Sequence, residues 1–208
     1  MITVEHVIAS GWLSAIRGMR NPMNSWSKSD SAFEETSEVG SVPIIGVNDL
    51  NLMKRLINGG SEHRKFLRMI HVQMDVIAPL YWWKQFDTYK IGTTANSCST
   101  MHKISAKEFE LDDFSHEHIS AGSEDVLEVI IHCLNGNRRK YLETKDKQYW
   151  WQMIQLLPSS YNQRRTIDMN YETVINIIKQ RSNHKLDEWN AFIDELMKLP
   201  YMSELLSV

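Results

Sequence analysis

"MIHVQMDVIAPLYWWKQFDTYK", residues 69–90, decides how the chain is read. Ile70, Val72, Met74 and Val76 alternate with His71, Gln73 and Asp75. A period of two apolar positions marks a half-buried strand. Ala78-Pro79 ends it, and Pro79 suits the first turn of a helix, where its missing N–H has no intrahelical partner to lose. The spacing predicts that helix over 80–90, carrying Lys84, Gln85 and Lys90. It leads into a polar loop in which Thr93, Thr94, Asn96, Ser97, Cys98, Ser99 and Thr100 crowd small hydroxyl, amide and thiol groups.

Moving toward the N-terminus, "TVEHVIA" (3–9) reads as a strand rich in β-branched residues. "LSAIRGMR" (13–20) has helical spacing of Leu13, Ile16 and Met19 or Arg20. The Ser- and Glu-rich stretch 24–42 reads as a long loop. Asn48 or Asp49 is expected to cap "LNLMKRLIN", which stops at Gly59-Gly60. Toward the C-terminus, "SEDVLEVIIHCL" (123–134) opens on a capping Ser and is expected to stop at Asn135-Gly136. "KQYWWQMIQLL" (147–157) is a helix closed by Pro158, and "QRRTIDM" (163–169) a short strand. Asn170 caps "YETVINIIKQR", and Asp187 opens a last helix closed by Pro200. Strands separated by helices, with a helical C-terminal half, give an α+β class: mixed helices on a small antiparallel sheet, in one domain over 1–208.

At 208 residues, with 42% hydrophobic and 24% charged, the chain has the composition of a globular protein able to bury a core. A net charge of −3 provides no whole-molecule field for nucleic acid or an anionic membrane. Local basic clusters stand at His63-Arg64-Lys65 with Arg68, at Arg138-Arg139-Lys140 and at Arg164-Arg165. The middle one reads as a solvated face, and the outer two as open to small anions. No apolar run reaches the roughly 18 residues of a membrane span, and no secretory leader is visible. With Cys98 and Cys133 far apart, a cytoplasmic location is expected. The eight His residues lack zinc spacing, so no metal site is expected at His116-Glu117-His118. There is no glycine-rich phosphate loop and no nucleophile elbow. Cys98 and His102 stand four apart, a weak signal of thiolate chemistry.

The order of these elements resembles the flavin-dependent thymidylate synthases (the thymidylate synthase complementing, or ThyX, family). There a strand ends in Ala-Pro, a helix carries Arg-Gln, and an Arg-His-Arg signature follows with Ser, Asn-Glu, Ser and Arg-Tyr at fixed positions. Here Lys84-Gln85 stands for Arg-Gln and Thr88-Tyr89-Lys90 for Arg-His-Arg. Thr93, Ala95-Asn96, Cys98 and Thr100-Met101 stand at the later positions. Ser25-Trp26 is similar to the family's Ser-Phe, while Asn170, Asn176, Arg181 and Trp189 match its late helix.

The resemblance implies a homotetramer that binds FAD and passes a methylene group from methylenetetrahydrofolate to dUMP or a related pyrimidine deoxynucleotide, with NADPH as reductant. By the same likeness Ser25, Tyr89, Lys90, Ile91, Asn96, Asn170 and Asn176 hold the flavin. Lys84, Gln85, Ser97, Cys98, Ser99, Thr100 and Arg181 hold the nucleotide, with Gln85 and Arg181 in catalytic roles. Thr100 in place of Arg removes a bidentate phosphate donor, a loss of roughly 1.5–3 kcal/mol. Asn96–Thr100 therefore reads as a rebuilt anion pocket, with Lys84, Lys90 and Arg181 supplying charge. Asn96 in place of an acid can bond a pyrimidine edge but carries no charge, which opens the choice of nucleotide. A non-catalytic flavin or nucleotide binder, or a structural oligomer, is the other reading of the altered signature. The adjacent pairs Trp82-Trp83 and Trp150-Trp151 point to assembly, because successive helical residues diverge by about 100° and cannot all turn inward.

Overall fold

A computed structural model describes residues 2–36 and 40–207. The elements are β1 (Thr3–Ser10), α1 (Trp12–Arg20), β2 (Ala32–Thr36), β3 (Gly40–Ile44), α2 (Val47–Asn58), β4 (His71–Pro79), α3 (Leu80–Phe86), β5 (Thr93–Ser97) and α4 (Thr100–Lys103). Then come α5 (Ala121–Thr144), α6 (Lys147–Leu156), β6 (Asn162–Asn170), α7 (Tyr171–Arg181), α8 (Asp187–Met197) and α9 (Met202–Leu206). A small antiparallel sheet has the order β1-β4-β6-β5, and β2 and β3 form a separate hairpin. The α+β class of helices on a small antiparallel sheet is thus the observed one. Among the described residues no helix is long and apolar enough to cross a membrane.

The chain forms two compact units. One comprises Met1–Thr3, Val76–Thr88 and Asn96–Arg165; the other comprises Val4–Asp75, Tyr89–Ala95 and Thr166–Val208. In the first, Phe109, Phe114, Leu127, Leu134 and Met153 form a core under the α5–α6 hairpin. In the second, Val72 and Met74 of β4, Ile167 and Met169 of β6 and Val174 and Ile177 of α7 are buried together with Trp12, Trp189 and Phe192. The alternation of β4 is as the sequence reads it, since Val72, Met74 and Val76 are buried and His71 and Gln73 exposed.

Several local expectations are corrected. Stretch 24–42 holds a single turn at Trp26–Lys28 and the β2–β3 hairpin, in register from Ala32 opposite Ile44 to Thr36 opposite Gly40. Residues 37–39 lie outside the described ones. The serines reach a carboxylate instead of water: Ser29 and Ser31 hydroxyls donate to Asp49 Oδ2 at 2.7 and 2.6 Å. Asp49 does not cap α2. Asp30 does, accepting the Asn48 and Asp49 N–H groups at 2.9 and 3.1 Å. Leu13 is exposed, and Trp12 takes the inward position at the head of α1.

Helix α3 ends at Phe86, four residues short of the expected end, and the Thr88 hydroxyl closes it on the Gln85 carbonyl at 2.7 Å. Residues 93–97, read as loop, form edge strand β5. Helix α5 runs through Asn135-Gly136. The Asn135 amide is buried and pairs with both the N–H and the carbonyl of Phe109, each at 2.8 Å, so a residue suited to ending a helix serves tertiary pairing. Trp82 and Trp83 both bury, against the expectation. Trp82 stacks on Phe86, while Trp83 donates to the Gln163 carbonyl at 2.9 Å and lies under the Arg165 guanidinium. A short helix seated in the core covers both flanks, which the 100° argument did not allow for.

Candidate functional site

In the first unit β5 and β6 pair at the Cys98 N–H, which donates to the Arg164 carbonyl at 2.9 Å. The buried Gln163 side chain donates to the Cys98 carbonyl at 2.8 Å and accepts from Arg165 Nε at 3.0 Å. Arg165 is further tied to Asp87 at 2.6 Å. Cys98 is thereby held at the mouth of a cavity of about 570 Å³. Ser99 and Thr100 line it too, and Ser99 Oγ accepts the His102 N–H at 3.1 Å as the cap of α4. Lys103, Lys107 and Arg164 bring positive charge to its walls, and Asp112, Asp113 and Glu117 bring negative.

Lys107 is paired with Asp113, and Glu117 accepts the Ser115 hydroxyl at 2.7 Å. His116 donates through Nδ1 to the Phe114 carbonyl at 2.8 Å, so its other nitrogen is the acceptor in the neutral ring. Burial, then the charges of Asp113 and Cys98, push the Tyr161 phenol above its ordinary range, so it stays a neutral donor at pH 7. Of the pocket read at Asn96–Thr100, then, Cys98, Ser99 and Thr100 line this cavity. Asn96 and Ser97 are exposed on β5 outside its lining, as are Lys84, exposed on α3, and half-buried Gln85. Lys90 and Arg181 belong to the second unit. Arg164, Lys103 and Lys107 are cations that sequence reading did not place here; the Arg164-Arg165 cluster was the signal available.

In the second unit the segment Tyr89–Gly92 docks on the N-terminus of α7. The Asn170 side chain caps the helix by accepting the Thr173 N–H at 2.9 Å, and the Asn170 backbone N–H donates to the Gly92 carbonyl at 3.1 Å. The Thr173 hydroxyl donates to the Ile91 carbonyl at 2.9 Å. Gly92 has φ +70, and a Cβ there would run into the Asn170 amide, so the turn requires glycine. The turn leaves Ile91 90% exposed and Lys90 exposed.

At the other end of α7, Arg181 Nε donates to the Tyr89 hydroxyl at 2.9 Å, and the guanidinium lies 4.7 Å from the Trp189 ring centre. Tyr89 donates in turn to Gln180 at 3.1 Å. Arg181 and Tyr89, named separately in the sequence, thus meet. Asn176 is half-buried midway along the helix. Ser25 sits beside α1, where Arg20 Nη1 donates to its carbonyl at 3.1 Å while Arg20 Nε pairs with buried Asp49 at 2.6 Å. Of the cluster His63-Arg64-Lys65 with Arg68, the two arginines are engaged in structure, both gripping Glu172, at 2.8 and 2.5 Å. Among the described residues no group of three metal-ligating side chains converges.

No family model matches the chain, and no curated protein matches it by sequence. Solved structures do. The flavin-dependent thymidylate synthase ThyX of Helicobacter pylori, complexed with FAD and dUMP, superposes with a TM-score of 0.68 at 18% identity, covering 97% of both chains. A second structure of that enzyme with FAD and dUMP gives 0.68 and 18% over 98% of this chain and 97% of the other. The chain therefore has the fold seen in that enzyme.

Proposed function

We propose that the protein is a FAD-dependent enzyme of the thymidylate synthase type. It methylates dUMP or a related pyrimidine deoxynucleotide, with methylenetetrahydrofolate as carbon donor and NADPH as reductant. The observation that carries this reading is the likeness in fold, over 97% of both chains, to an enzyme holding FAD and dUMP.

The residues present fit a nucleotide. The cavity of about 570 Å³ lies within the roughly 300–1,000 Å³ range of small-molecule sites. Arg164 offers the planar fork that the altered signature lacks at Thr100, and fork geometry matches a phosphate bidentately. Ser99 and Thr100 add hydroxyls, and Tyr161 adds a neutral O–H. By the resemblance Gln85, outside this cavity, would add an amide for the base carbonyls, and in the second unit Arg181 would add a guanidinium oriented by Trp189 and Tyr89. Charge that builds on the base during reaction is stabilised by donors already aimed at it.

The second unit fits a flavin in kind. Asn176 is half-buried with no hydrogen bond to its amide among the described residues. Ile91 presents an uncovered apolar face. Ser25, Tyr89, Lys90 and Asn170 complete the proposed contacts in this unit, and in the first unit the resemblance adds Asn96. When bound and reduced, the flavin supplies the hydride.

The test is uptake of FAD by purified protein, read from visible absorbance, followed by anaerobic reoxidation of the reduced flavin that requires both dUMP and methylenetetrahydrofolate. Colourless protein that takes up no FAD overturns the reading. A second reading, a flavin or nucleotide binder or a structural oligomer without catalysis, is favoured by the altered signature, where Thr88-Tyr89-Lys90 and Thr100-Met101 stand for Arg-His-Arg and Arg-Tyr. Growth of a thymidine auxotroph on this gene without thymidine rejects it.

A further inference from the structure

The α5–α6 hairpin carries a second cluster of cations and rings, in the first unit and separate from the cavity above. Lys147 Nζ lies 6.0 Å from the centre of Trp150 and 5.6 Å from that of Trp151. Lys145 lies 5.8 Å from Tyr141, and Lys140 5.5 Å from Tyr149. Cation–ring contacts of this kind occur about once per 70–80 residues. Four of them within residues 140–151 mark the tip as a specialised surface. Over residues 138–147, Arg138, Arg139, Lys140, Lys145 and Lys147 outnumber Glu143 and Asp146 by three, and among the described residues only Arg139 meets a further carboxylate, Glu108 at 3.6 Å, in a chain of net charge −3. Asp146 is occupied, accepting from the Gln148 N–H and side-chain amide, both at 2.9 Å.

Beside this cluster lies a cavity of about 390 Å³, walled by Tyr141 and Trp150, with Lys145, Lys147 and His102 offering N–H groups and Ser105 a hydroxyl. The Trp150 plane is fixed before any ligand arrives. Its N–H donates to the Met101 carbonyl at 3.0 Å, and Trp151 packs edge-on at 4.8 Å. Arg138 holds the Ser105 carbonyl at 3.1 Å. A rigid aromatic wall costs little ordering on binding. Flat π-faces next to flexible ammonium groups are what a stacked base and its phosphate require.

We propose that this cavity binds a single nucleotide, its base against Trp150 and Tyr141 and its phosphate on Lys145 and Lys147. The site is independent of the function proposed above. Isothermal titration with AMP, adenosine, inorganic phosphate and a short oligothymidylate tests it. AMP is expected to bind more tightly than adenosine or phosphate, and more weakly as salt rises. The double variant Lys145→Gln/Lys147→Gln is expected to weaken AMP binding tenfold or more, and Trp151→Ala severalfold, with circular-dichroism melting unchanged. Arg164→Ala, in the other cavity, is expected to leave this binding intact. AMP binding that the lysine variant leaves unaltered, or that only Arg164→Ala removes, overturns the proposal. Binding of the oligonucleotide without AMP also overturns it and assigns the surface to a nucleic-acid strand.

Discussion

Arg181 illustrates how one residue combines roles. At the C-terminus of α7 a cation gains about 0.3–1 kcal/mol from the helix dipole. Its packing on Trp189 and its bond to Tyr89 do more to fix it. Arg181→Lys keeps the charge and loses the fork and the stacking surface. Nucleotide affinity is expected to fall roughly tenfold, the scale of one charge-assisted bond, and stability by about 0.5–2 kcal/mol. Titration calorimetry and urea unfolding read the two effects, and unchanged affinity removes Arg181 from the proposed site.

Asp49 is the other residue whose surroundings set its chemistry. Burial opposes its charge, but hydrogen bonds from Ser31, Ser29 and Arg20, with the Arg20 charge, outweigh that and hold its carboxyl below the usual range. A group whose folded pKa is depressed contributes stability above its unfolded pKa and loses it as pH falls through the folded one. Part of the acid sensitivity below about pH 4 is therefore expected to come from Asp49. Asp49→Asn leaves Arg20 buried without its counter-charge, a loss of about 3–5 kcal/mol at neutral pH. The variant is expected to show a flatter stability profile on acidification, measured by urea midpoints across pH. A midpoint equal to wild type at pH 7 contradicts the buried-pair account.

Among the elements, α5 departs furthest from its sequence reading. An Asn-Gly pair within a helical pattern ordinarily ends it. Here the helix continues because the Asn135 side chain is needed by Phe109, whose backbone it satisfies twice. Asn135→Ala exposes both Phe109 groups to an unmatched buried environment and is expected to cost about 2–3 kcal/mol. A melting temperature within a degree of wild type refutes this role. Helix α3 and strand β5 carry the same lesson. Their boundaries follow Thr88 closing the helix and Cys98 pairing with Arg164, partners that no local pattern reveals.

For the whole molecule the open question is assembly. Leu13, Val126, Val129 and Trp151 remain 53%, 59%, 63% and 43% exposed. Scattered apolar side chains are normal on a surface, but this number on helices accords with the homotetramer proposed by resemblance. Light scattering is expected to give about four times the 24.3 kDa chain mass. A monomer mass at micromolar concentration rejects it.

The sequence by itself determined β1, β4, β6, α1, α6 and α7 and the class of the fold. Each follows from a signal written within a few adjacent residues: β-branched content in β1, a period of two in β4, apolar spacing near 3.6 in α1, and in α7 a cap, Asn170 on Thr173. It also made the architecture legible through element order, although the signature had changed at most positions. Only the tertiary structure decided the rest. It gathered Arg164, Lys103 and Lys107 around Cys98–Thr100, brought Tyr89 onto Arg181 across 92 residues of chain, and turned Asp49 from a cap into a buried ion-pair partner. Those outcomes depend on which groups meet once the strands pair and the helices pack. Hydrogen-bond and charge satisfaction at long sequence separation leaves no periodic trace in the chain.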